Sequence, residues 1–261
     1  MGVAGGEGSG GFELLSVGRI VFGRGRAGRL GELAARFGRR ALVIGNAGQR
    51  GDGGATDRVA EVLADAGVEA AFIRQRGEPT VAQVDDALAA ARSRGCDVVI
   101  GLGGGSAIDA AKAVAGLLTN GGSALDYMEV VGKGRKITQQ AAAWIAVPTT
   151  AGTGAEVTRN AVIACPEKHF KASIRGEQLL ARVAVVDPEL GVAVRAEITA
   201  RAGMDALCQL IESYTSAKAQ PVTDALALAG MARAARSLGR ACRDGADLDA
   251  REDMALAALL S

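Results

Sequence analysis

Apolar positions along this chain follow two periods, and the change from one to the other falls near residue 195. Before that point, short apolar runs alternate with amphipathic stretches of helical spacing. The runs at residues 20–22, 41–44, 69–73, 98–102, 143–147 and 183–186 predict strands, and those at 27–37, 56–66, 81–94 and 107–118 predict helices. Gly67 and Gly95 stand where the second and third of these helices should stop. Strands alternating with helices predict an α/β fold with a parallel sheet and right-handed crossovers, whose ligands sit at the carboxyl ends of the strands. Residues 156–163 and 169–174 read as two further adjoining strands, and Asp187-Pro188 closes the last strand. Beyond residue 195 the spacing is helical almost throughout, with alanine- and leucine-rich helices expected over 196–216, 221–239 and 248–260 and Pro221 as a first helical residue. The chain is thus expected to divide into a flexible tail (1–11), an α/β domain (12–190) and a helical domain (191–261).

Composition narrows the function classes. With 261 residues and 49% hydrophobic content, the chain is long enough for one large or two smaller cores. Its 30 basic and 29 acidic side chains are interspersed, so the basic stripe of a nucleic-acid binder is missing. No apolar run approaches the roughly 18 residues of a membrane span. The start, MGVAGG, lacks the basic flank and apolar core of a signal peptide, and Gly6 breaks the myristoylation pattern. Cys96, Cys165, Cys208 and Cys242 lie far apart, which argues for reduced thiols in a cytoplasmic protein, best read as small buried hydrophobes.

The chemistry is concentrated where the fourth strand meets the fourth helix, in DVVIGLGGGSAIDAAK (97–112). Gly103, Gly104 and Gly105 let the backbone approach a ligand, Ser106 is placed to cap the first turn, and the free N–H groups there favour a pyrophosphate. The spacing is not GxGxxG, because Ser106 stands where the last glycine would be. Ser106, Asp109 and Lys112 follow at three-residue steps and should share one face and one mouth. The segment after the second strand, with Asn46 neutral and Arg50 near it, lies at the same sheet edge. The apolar strand at 143–147 ends in PTTAGTGAE (148–156), which crowds Thr149, Thr150 and Thr153 into a loop.

Three of these stretches together resemble the iron-containing, or group III, alcohol dehydrogenase family: GGGSAIDAAK, PTTAGTGAE, and AGMDALCQLIESY (202–214). The resemblance implies an N-terminal Rossmann-like dinucleotide-binding domain followed by an incomplete all-helical domain. It implies that the glycine turn with Ser106 and Asp109 holds the pyrophosphate of NAD or NADP, that Thr149, Thr150 and Thr153 face the nicotinamide and ribose, and that Lys171 reaches a ribose or phosphate. In relatives an acidic residue near the position of Asn46 bonds the adenosine ribose; a neutral residue there leaves NAD and NADP both open. In the family helix an Asp, here Asp205, and a His four residues later hold Fe²⁺ or Zn²⁺. Here Gln209 takes the histidine's place, and an amide oxygen is the poorer ligand. Asp205 read as a plain helix carboxylate would pair with Arg201.

The family's further ligands are histidines of a later helical stretch, whereas this chain has one histidine, His169. Residues 254–261 resemble the helix before them, so the chain is expected to be a truncated family member that turns over no alcohol by itself. Two functions stay open: metal-assisted hydride transfer between an alcohol and an aldehyde or ketone, in a homodimer, or a nucleotide-binding interaction module without catalysis.

Overall fold

The computed structural model describes residues 11–46, 51 and 53–261; the expected tail up to residue 10 and Arg50 lie outside them. Six parallel strands form one sheet: β1 (Ile20–Phe22), β2 (Arg40–Gly45), β3 (Glu69–Arg74), β4 (Val98–Gly103), β5 (Ala143–Pro148) and β8 (Val183–Val186), in the order β1-β8-β5-β4-β2-β3. The strand pattern of the sequence is borne out, and the order places β4 and β5 at the centre. Both faces are covered, as parallel sheets require. Leu42, Ile44, Val99, Ala146 and Ala184 point to one face, where helices α3 (Val81–Ser93) and α4 (Gly105–Asn120) pack. Val43, Ile100, Leu102, Ile145 and Val185 point to the other, against α1 (Leu30–Ala35) and α2 (Ala55–Asp65).

Several boundaries differ from expectation. The first helix begins as a 3-10 turn, Arg26–Arg29, because the Asp187 carboxylate accepts hydrogen bonds from Gly25 and Ala27 N–H (3.2 and 2.8 Å) and fixes the entry of the chain. A short helix, α5 (Ala124–Tyr127), held by a capping box between Ser123 and Asp126, follows α4. The strand expected from residue 156 instead begins as β6 (Asn160–Cys165), antiparallel to β7 (Phe170–Arg175). Residues Ala155–Val157 form a 3-10 turn after Gly154, which is left-handed at φ 59°. The four cysteines are free, but only Cys165 is buried; Cys208 is exposed.

After a 3-10 turn at Pro188–Gly191, helices α6 (Ala196–Thr215), α7 (Pro221–Arg243) and α8 (Leu248–Leu260) pack a separate cluster around Leu210, Ala234 and Met254. Pro221 is the first residue of α7. The helices approach closely through glycine: a methyl on Gly230 would sit 2.9 Å from Leu210 Cδ1. No helix among the described residues is long and apolar enough to cross a membrane.

Candidate functional site

The organising element is the turn between β4 and α4. At Gly101 a Cβ would come within 2.9 Å of Ala111 Cβ, so the absent side chain is what lets α4 lie tight against its own strand. Gly103 ends β4 at φ 147°, a conformation suited to glycine. Gly104 occupies the N-cap position with no side chain capping the helix; Ser106 lies inside the first turn, correcting its expected role as the cap. The turn is strapped on both sides. Thr149 N–H donates to the Gly103 carbonyl (2.9 Å), and Gly104 N–H donates to Asn46 Oδ1 (3.1 Å). One amide of the loop is therefore taken by Asn46. What Asn46 retains is its Nδ2 donor. The N–H groups of Gly105 and Ser106, in the first turn, have no acceptor within the helix.

Those two residues form the wall of an open cleft. One part, of about 950 Å³, is lined by Asn46, Thr149, Arg58 and Arg195. The other, of about 560 Å³, is lined by Asp109, Thr153, Lys171, Asp205 and Gln209. Gly105, Ser106, Thr150 and Arg201 border both, so the cleft is continuous across the carboxyl ends of the strands and the start of α6. The threonine loop presses on the glycines: a Cβ on Gly104 would lie 3.1 Å from Thr150 Oγ1, and one on Gly105 3.3 Å from Thr153 Oγ1. The structure thus brings these sequence-predicted residues together at one cleft; Gly103, the last residue of β4, is buried.

Lys112 is the exception. Its side chain is fully buried and donates to the carbonyls of Ala155 (2.8 Å) and Asn160 (2.7 Å) and to Thr158 Oγ1 (2.7 Å). It does not share the mouth with Ser106 and Asp109. Burial pulls its pKa down to about 8, against the opposing pull of Asp109 and Glu156. Asp109 accepts from Val162 N–H (3.1 Å) through Oδ2, while no donor among the described residues reaches Oδ1, which stands 3.6 Å from Lys112 Nζ. Burial pushes the Asp109 carboxyl above its usual range. Lys171 is exposed and pairs with Glu78, which borders the same part of the cleft.

The metal candidates face the cleft from α6. Asp205 is exposed and does not pair with Arg201, which bridges to Glu197 one turn earlier (2.6 Å). Asp205 and Gln209 offer two oxygen donors one turn apart. Among the described residues no group of three or more His, Cys, Asp or Glu side chains is placed to hold a metal. His169, left-handed at φ 50°, sits in the β6–β7 turn and does not line the cleft. Iron or zinc needs about three protein ligands, so the residues present do not fit a catalytic metal.

Sequence reasoning missed the buried polar groups beneath the cleft. Glu156 and Arg251 line a small pocket of about 30 Å³ with Asp187 and Thr199. Burial raises the Glu156 carboxyl to about 7. Arg251, on α8, donates to Thr199 Oγ1 (2.7 Å) and to the carbonyls of Gly245 (3.1 Å) and Val194 (3.0 Å), tying α8 to the start of α6. Only a charged residue on an otherwise apolar helix face signalled it in the sequence.

A doubly wound parallel sheet with a glycine-headed helix at its central strand ends defines an α/β protein with a strand-end cleft. The family model described as iron-containing alcohol dehydrogenase matches residues 18–188, and that described as Fe-containing alcohol dehydrogenase family, C-terminal, matches residues 199–261. The chain belongs to the iron-containing alcohol dehydrogenase family. It is 39% identical over 252 residues to a choline dehydrogenase of Bacillus subtilis, covering 96% of this chain and 62% of the relative. It is 36% identical to an NAD-dependent methanol dehydrogenase of Bacillus methanolicus, covering 91% of this chain and 61% of the relative. Among solved structures, a 1,3-propanediol oxidoreductase superposes with a TM-score of 0.89 at 36% identity, covering 95% of this chain and 64% of that one. A sulfoacetaldehyde reductase of Bifidobacterium kashiwanohense, in complex with NAD⁺, superposes at 0.86 with 31% identity, covering 95% of this chain and 65% of that one. The chain spans about three fifths of the length of the curated relatives it matches.

Proposed function

We propose that the cleft binds NAD or NADP, and that the protein is an oxidoreductase interconverting a small alcohol and its aldehyde or ketone. The observation that carries this reading is the pair of first-turn amides, Gly105 and Ser106, opening on a cleft bordered by Thr149, Thr150 and Thr153. The glycine backbone leaves the space that a pyrophosphate would fill, and the helix N-terminus supplies partial positive charge. Asp109 borders the same part of the cleft, where its carboxylate would accept from a ribose hydroxyl that reaches it. The threonine hydroxyls would orient the nicotinamide end, and Lys171 would reach a ribose or phosphate. Asn46 presents a donor and no carboxylate, so a 2′-phosphate is not repelled and both dinucleotides are admitted. When bound, the nicotinamide supplies the chemistry by accepting or giving up a hydride.

Asp205 and Gln209 by themselves do not make a metal site. Domains divided near residue 190, a homodimer and a cytoplasmic location complete the reading, supported by the family membership and by the scattered, unpaired cysteines. Calorimetric titration with NAD⁺, NADH, NADP⁺ and NADPH tests it: saturable binding of at least one dinucleotide is expected, and no binding of any would overturn it.

A further inference from the structure

We propose that Lys112 is a positioning residue: it locks residues 155–160 onto α4, so that the threonine loop and the glycine turn form one rigid cleft wall. This deepens the function proposed above and rests on it for its binding readout.

The geometry is that of a clamp. Each of the three N–H donors of an ammonium group has a partner here, at 2.8, 2.7 and 2.7 Å, and all three acceptors lie within residues 155–160. Asp109, one turn earlier on the same face of α4, takes the Val162 N–H. Two consecutive turns of one helix therefore hold the whole stretch that leaves the threonine loop and enters β6. Ala155, Thr158 and Asn160 themselves border the part of the cleft that holds Thr153 and Lys171. Loosening them would move the threonine hydroxyls away from the glycine turn they press against.

A cation in this position is costly. Lys112 has no solvent exposure, and its ion pair to Asp109 is 3.6 Å long. The Trp144 ring, 5.8 Å from Nζ, adds one more favourable contact. Methionine would fill the volume without the desolvation penalty if packing were the only role. What methionine cannot do is hold three diverging oxygen acceptors at once.

The test compares Lys112→Met with the wild-type chain and with Val114→Ala, a buried change on the same helix that lowers stability without touching the clamp. Two readouts are taken at a temperature where all three are fully folded: hydrogen exchange of residues 155–162, and calorimetric affinity for NADH and NADPH. The expected result for Lys112→Met is faster exchange confined to 155–162 and at least tenfold weaker binding, with Val114→Ala matching wild type in both. Wild-type exchange in Lys112→Met, or affinity within twofold of wild type, would overturn the clamp. If the wild-type chain itself binds no dinucleotide, the functional reading fails and the exchange result alone decides: faster exchange upholds the clamp, unchanged exchange overturns it. Should Lys112→Met not fold, Thr158→Val, which removes one of the three acceptors, is expected to show the same local exchange change with a two- to threefold loss of affinity. Absence of both effects would overturn the proposal.

Discussion

Gly103→Ala offers the sharpest energetic test of the turn that heads α4. At φ 147° an L-residue is strained, at a cost of about 1–3 kcal/mol. The new methyl would also stand 2.9 Å from Asn46 Cγ and closer still to its Oδ1, with Ala107 Cβ at 3.1 Å. Asn46 must then swing away and release Gly104 N–H, which forfeits a hydrogen bond worth about 0.5–1.5 kcal/mol. The expected total is about 2–4 kcal/mol, read as a lower urea midpoint at unchanged m-value. In an Asn46→Ala background the clash and the hydrogen bond are both already gone, so Gly103→Ala should cost only the backbone strain. The two changes are therefore expected to be less than additive by about 0.5–1.5 kcal/mol, above the roughly 0.3–0.5 kcal/mol that separates independent sites. Strict additivity would refute the packing of Asn46 over Gly103, and with it the account of how this loop is held.

Other expectations follow from the buried polar groups and close helix contacts. The Glu156 carboxyl is raised from 4.5 to about 7, so the folded chain keeps a proton that the unfolded chain loses, and stability from this group falls as pH rises through that window. Glu156→Gln should gain on wild type between pH 5 and 8, by up to about 3 kcal/mol at roughly 1.4 kcal/mol per unit, and parallel stability curves would refute this. Lys112 has the opposite sign and higher window: its pKa falls from 10.5 to about 8, so its contribution to stability rises between those values, and Lys112→Met should flatten that rise. Asp187→Ala leaves the N–H groups of Gly25, Ala27 and Glu189 without their acceptor and is expected to cost about 2–4 kcal/mol in urea unfolding. In Gly31→Ala a methyl would meet the backbone of Val62, 3.0 Å from its carbonyl carbon, and backbone yields poorly; a loss of about 1–3 kcal/mol is expected, outweighing any gain in helix propensity.

The strands, most helices and the glycine turn were legible because each leaves a local mark: a short apolar run, a helical period, a glycine cluster at a strand end. Even the cleft was legible by topology, since parallel strands deliver their loops to one edge. What was not legible depends on distant partners. Lys112 reads as one of three polar groups on a helix face, and only the approach of residues 155–160 shows that it points into protein and not into the cleft. Asn46 likewise reads as a free side chain until Gly104 is brought to its oxygen. Ser106 failed as a cap because the helix starts two residues earlier than expected, at Gly105, which leaves its hydroxyl for the cleft. Arg201, the partner of Asp205 read as a plain helix carboxylate, bridges instead to Glu197, which lies N-terminal to it in the orientation favoured for pairs four apart. Glu156 carries no spacing signal, and Arg251 only that of a charge on an otherwise apolar helix face; both line one small pocket where α6 and α8 meet the sheet.

The most direct measurement of the central claim is amide NMR of the isotope-labelled chain during titration with NADH. The account predicts that the Gly105 and Ser106 amide resonances shift saturably, together with those of Thr150 and Thr153. Saturable binding that leaves Gly105 and Ser106 unmoved while perturbing another surface would contradict it.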